Sequence, residues 1–200
     1  MFVNNKISFL KFDINEMVSA ADIDSWDSAP LTQMMNKVDK NKETGKHLIM
    51  WDKQGAAATF FQYKAHLTSF APAIVKANMA GDKSEALELL RKDLVYTMRC
   101  GENHMIDLDK MSIDFSEWKD EAVFNPELVF KRDEWCVKDN YIKFVKDDEN
   151  HGIGGLNPDH YIMNENWNLV IRVAHETEER VAKVICIIPH IGEFNKLIIT

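Results

Sequence analysis

Long apolar runs, paired cysteines, basic clusters and glycine-rich phosphate loops are all missing from this sequence, and each absence closes a class of function. No stretch approaches the ~18 consecutive apolar residues of a membrane-crossing helix, and the start Met1-Phe2-Val3-Asn4-Asn5-Lys6 lacks the basic head and apolar stretch of a secretory signal. Together these predict a cytoplasmic chain without a membrane partner. Cys100, Cys136 and Cys186 are too widely spaced for a zinc or redox motif, which predicts free thiols in a reducing compartment. Lys and Arg total 24 against 32 Asp and Glu, a net charge of -8, and no basic run compensates. Phosphate contacts need clustered cations, so no nucleic-acid partner is expected. There is no Gly-x-Ser-x-Gly elbow, no dinucleotide fingerprint and no HExxH zinc helix.

What is present fits one α/β core. A 200-residue chain that is 46% hydrophobic carries enough apolar area for a single domain with an appendage. Residues 1-45 alternate short apolar runs with Asp, Asn and Ser, and read as an irregular N-terminal arm in which Ile7–Phe12 forms a short strand and Leu31–Val38 a helical turn. From 46 to 200 the pattern is that of the main domain. Leu48-Ile49-Met50-Trp51 is a continuous apolar run, the signature of a strand buried on both faces, and implies a mostly parallel sheet with flanking helices. Ala56 to Met79 reads as two helical pieces broken at Pro72. Asp82-Lys83-Ser84-Glu85 starts a helix whose Leu87, Leu90, Leu94 and Met98 recur at spacings of three and four, and Gly101 caps it. His104–Asp109 follows as a strand ending in acid. Residues 115-165 form an aromatic-rich insertion with short helices, Pro126–Phe130 among them, and a Gly-rich loop over Asn150–Pro158. The β-branched runs Trp167–Ala174 and Val181–Pro189 read as two further strands.

The order strand, Gly-containing turn, helix, then an acid-ended strand resembles that of P-loop NTPases. The matching pieces are Leu48–Trp51, the turn Asp52-Lys53-Gln54-Gly55-Ala56-Ala57-Ala58-Thr59, and Met105-Ile106-Asp107-Leu108-Asp109, with Asn168–Ala174 as the next strand of the AAA-like branch. The resemblance implies a P-loop-like fold and argues against the activity. Ala58 stands in place of the phosphate-reaching Lys, Ala57 in place of a Gly, and Asp52 puts negative charge beside the phosphate path. Lys110 occupies the place of the Glu that activates water. Trp51–Gly55 followed by Phe60-Phe61-Gln62-Tyr63-Lys64 is similar to degenerate AAA-like proteins of cilia and flagella. The expectation is therefore a noncatalytic structural or interaction subunit of a larger assembly, a ciliary or cytoskeletal one on this resemblance, with no cofactor. Trp118, Trp135 and Tyr141 are its candidate contacts with other proteins.

Two alternatives use other residues. A nucleotide-binding enzyme or switch would hold ATP or GTP with Mg through Lys53, Gly55, Thr59 and Asp109. A metal-dependent hydrolase would draw on His104, Asp107, Asp109, Glu149 and His151, although His104 points to the opposite face of its strand from Asp107 and Asp109. As strand-end and loop residues these polar groups need no metal, and no metal ligand is assigned. A Cys–His nucleophile pair has no local signature here.

Overall fold

The computed structural model describes residues 23–200; the strand expected at Ile7–Phe12 lies outside them. Six strands, β1 (Asp27–Ala29), β2 (His47–Asp52), β3 (His66–Ser69), β4 (Asn103–Asp107), β5 (Asn168–Val173) and β6 (Phe194–Ile199), form one sheet. Every pair is parallel, in the order β1-β6-β2-β5-β4-β3. All six residues of β2 and of β5 are buried, as strands covered on both faces must be. Alternate side chains serve two separate cores. Leu48, Met50, Met105, Val170 and Leu197 face one layer, and Ile49, Trp51, Ile106, Leu169 and Ile171 face the other.

The helices divide between the layers by the direction in which the chain crosses the sheet. The connections β1 to β2 and β2 to β3 run one way, and carry α1 (Met34–Asn41) and α2 (Ala57–Gln62) onto the first face, where Met34, Val38, Ala57 and Phe61 are buried. The remaining connections run the other way. They place α3 (Phe70–Ala80), α4 (Ser84–Cys100), the insertion and α8 (Glu178–Ile185) on the second face. Crossovers of one hand require this split. The insertion itself holds α5 (Pro126–Val129), α6 (Arg132–Trp135) and α7 (Lys138–Tyr141).

Several expectations change in the structure. Pro72 does not break a helix; it is the third residue of α3, within the first turn, where its missing amide had no partner to lose. Between α2 and α3 lies β3, four residues long and too short to show a pattern. Val181–Pro189 is not a strand. Thr177 caps the start of α8 by accepting the Arg180 amide, Glu178 and Glu179 complement the positive helix end, and Val181, Val184 and Ile185 form one buried helical stripe. The last strand is β6 instead. Residues 23–45 join the sheet: β1 pairs with β6, and Asn41 Nδ2 donates to Asn168 Oδ1 at 3.1 Å at the start of β5. The expected start and end of α4 are observed, with Gly101 at φ +72 as its left-handed cap. A side chain at Gly101 would also collide with Asn164 at 2.5 Å.

Trp118, Trp135 and Tyr141 are 4%, 1% and 5% exposed, so these contact candidates are core residues and present no ring face to a partner. The insertion packs as part of the second layer: Phe115 meets Phe130 at 4.9 Å, and Phe130 meets Phe194 of β6 at 5.7 Å. Among the described residues no helix is long and apolar enough to cross a membrane.

Candidate functional site

The C-terminal ends of β2, β5 and β4 lie side by side, and three charged side chains there point to the α2 face. Asp52, the last residue of β2, is buried. Its Oδ1 accepts the Gly55 amide at 3.0 Å and its Oδ2 the Ala57 amide at 2.8 Å. Gly55, at φ +73, supplies the left-handed step that turns those amides inward. The carboxylate thus sits inside the turn and occupies two of its amide donors.

Arg172 of β5 holds the carboxylate there. Its Nε and Nη2 donate to Asp52 Oδ2 at 2.9 and 2.8 Å, and its Nη1 donates to Asp107 Oδ1 at 2.5 Å. Nη1 also lies 3.8 Å from Asp109 Oδ1, and the Asp109 amide donates to Asp107 Oδ1 at 2.9 Å. Burial opposes the Arg172 cation, but Asp107 and Asp52 outweigh it and raise its pKa above the ordinary guanidinium value. A buried Arg joining two carboxylates fastens three adjacent strand ends to one another and to the start of α2.

The residues expected to hold a nucleotide separate in space. Gly55 belongs to the closed turn and Asp109 borders the cluster at φ +47, a left-handed conformation unusual for a non-glycine residue. Lys53 is turned to the opposite face, its Nζ 4.2 Å above the Trp51 ring and 3.9 Å from Glu178 of α8. Thr59 is exposed on α2. Lys110 pairs with Glu176 at 2.6 Å. A cleft of about 360 Å³ between α3 and the end of β4, lined by Pro72, Val75, Asp107, Asp109 and Met111, opens beside the cluster.

The proposed hydrolase residues also scatter. Glu149 pairs with Arg91 at 2.5 Å, and His151 lies 2.9 Å from Arg99. His104 joins a different group at the other end of the sheet, with His66, its partner across β3 and β4, and Asp93 of α4. His66 Nε2 is 3.2 Å from Asp93 Oδ1, close enough for an ion pair but without hydrogen-bond geometry. The Thr68 hydroxyl donates a short hydrogen bond to Asp93 and is 2.7 Å from His104 Nε2. Burial pushes the His104 pKa down to about 3, so the ring is neutral. The Asp93 contact raises that of His66. Burial works against the Asp93 carboxylate, but His66 and Thr68 outweigh it and lower its pKa.

Arg172 escaped the sequence reading although it carries a signal. An arginine inside the apolar run Leu169-Val170-Ile171-Arg172-Val173-Ala174 cannot be buried without carboxylate partners, and two Asp residues end the neighbouring strands.

Fold and site define an α/β domain with a doubly covered parallel sheet whose C-terminal edge is closed by an Asp–Arg–Asp bridge. No protein-family model, curated protein or solved structure matches the chain.

Proposed function

We propose that this chain is a noncatalytic structural or interaction subunit of a larger assembly, built on a P-loop-like domain whose phosphate turn is filled by its own Asp52. The observation that carries the reading is the pair of amide bonds from Gly55 and Ala57 to that carboxylate. Phosphate binding depends on free amides and on attraction; here the amides are taken and the site is already negative. Two like charges about 4 Å apart at an effective dielectric of 20 repel by about 4 kcal/mol, and Arg172 is already committed to the carboxylates. The strand, turn, helix and acid-ended strand keep the P-loop order, which supports descent from such a fold. The surface available to partners is not the buried aromatic set but exposed apolar side chains such as Ile153, Leu156 and Ile162, together with Met79 on α3. The ciliary or cytoskeletal nature of the assembly rests on the resemblance over Leu48–Lys64 and Met105–Phe115.

The test is nucleotide binding. A ligand at a hundredfold its Kd stabilises a protein by about 2.7 kcal/mol, a shift easily seen in thermal melting. Millimolar ATP or GTP with Mg2+ should leave the melting temperature unchanged, and labelled nucleotide should not be retained. Micromolar binding that disappears in Thr59→Ala would overturn the proposal in favour of a nucleotide switch.

A further inference from the structure

We propose that His66, Asp93 and His104 form a binding site for one divalent transition-metal ion, with Zn2+ the best match. The inference is independent of the scaffold reading, because the group lies at the N-terminal end of β3 and β4, away from the Asp52 turn. One ligand atom from each residue lies within 4.8 Å of the others. Tetrahedral zinc ligands stand about 3.4 Å apart, given metal–ligand bonds of about 2.1 Å. His66 and Asp93 are partly exposed, so rotation of these two side chains can close the difference.

Two features favour an ion over a simple polar cluster. His66 Nε2 is shielded from solvent and its 3.2 Å contact with Asp93 Oδ1 is poorly aligned for a hydrogen bond, so an ion between the two would satisfy both. His104 is already braced as metal-bound histidines are: its Nδ1 lies 3.3 Å from Thr97 Oγ1. That hydroxyl is itself fixed, accepting from Trp167 Nε1 at 3.1 Å and donating to the Asp93 carbonyl at 2.7 Å. An ion would select the tautomer with Nδ1–H donating to Thr97 and would take the Nε2 lone pair in place of the 2.7 Å contact with Thr68, whose hydroxyl keeps its bond to the Asp93 carboxylate. Two imidazoles and one carboxylate suit Zn2+ and its borderline neighbours, whereas Mg2+ and Ca2+ prefer oxygen alone. The three residues leave a fourth position for water.

Titration of Zn2+ into the tag-free full chain, in competition with a chromophoric chelator, should show one equivalent bound with submicromolar affinity. His66→Gln and Asp93→Asn should each weaken binding by at least about 100-fold, the upper end of what losing a ligand's supporting partner costs. His151→Gln should have no effect. Circular dichroism checks that the variants fold. The wild-type chain loaded with Co2+ should show the intense visible bands of a four-coordinate ion, a readout that needs no variant. Failure of the wild type to take up Zn2+ from micromolar solution, uptake unchanged in both variants, or a Co2+ spectrum of the hydrated ion would each overturn the proposal.

Discussion

Arg172 shows how much one side chain can decide. It is 2% exposed and joins Asp52 to Asp107, so its removal strands two carboxylates at the C-terminal edge of the sheet. Breaking a buried pair from one side costs about 3–5 kcal/mol, more than the pair itself contributes, because the remaining charge has no water. Arg172→Met should therefore lower unfolding stability by that amount in urea denaturation. Asp52→Asn combined with Arg172→Met should cost less than the sum of the two single changes, since the variants share one interaction. Additive losses would show that the bridge does not couple the strands. The sequence exposed half of this site. Asp52 was legible as a charge hostile to phosphate, but its place inside its own turn depends on the left-handed Gly55 and on Arg172, which lies 120 residues away in the chain.

Elements were legible where a periodic stripe and its caps agree, as in α4, and illegible where only one signal was present. The run around Val184 is β-branched, and composition alone favours a strand. The Thr177 cap and the spacing of Val181, Val184 and Ile185 instead specify a helix, because the stripe buries against the sheet. β6 was missed because the β-branched run before it was read as the last strand, although Pro189 and Gly192 mark a turn between them, and β3 for lack of length. The strength of α4 extends to its attachment of the insertion: buried Arg91 donates to Glu88 at 2.7 Å, to Glu149 at 2.5 Å and to the Phe144 carbonyl at 2.8 Å. The Arg91 hydrogen bond, opposed by burial and reinforced by Lys146, brings the Glu88 pKa from 4.5 down to about 2. A carboxylate depressed in the folded state contributes stability above its unfolded pKa and loses it as pH falls through the folded one. The stability difference between wild type and Glu88→Gln should be constant from neutrality to just above pH 4.5, then shrink towards pH 2. A difference that does not change across that window would remove Glu88 from the link between α4 and the insertion.

At the scale of the whole molecule, the sheet class was legible because β2 and β5 are apolar on both faces, a pattern that only a doubly covered sheet explains. What could not be read was whether the charged, aromatic segment after β4 stands outside that core or closes it, since charge density suggests a surface and aromatic density a core. Packing decides: Phe115, Trp118, Phe124, Phe130 and Trp135 belong to the same cluster as Ile49, Ile106 and Ile171 of the sheet. An insertion that shares the sheet's core cannot open without exposing the sheet, so it should not behave as a detachable contact module. Native-state hydrogen exchange makes this measurable, because amides that open only with global unfolding report the same free energy. The amides of Phe124, Val129 and Trp135, bonded to Asp120, Asn125 and Lys131, should exchange within about tenfold of those in β2, a spread of about 1.4 kcal/mol. The Ile153–Gly155 turn, exposed and closed only by the bonds of the Gly155 amide to Gly152 and of the Gly152 amide to Leu156 and Asn157, should exchange fastest of the segment. If Phe124 and Trp135 instead exchange as fast as that turn while β2 stays protected, the insertion folds separately, and its aromatic residues return as a surface that a partner can cover.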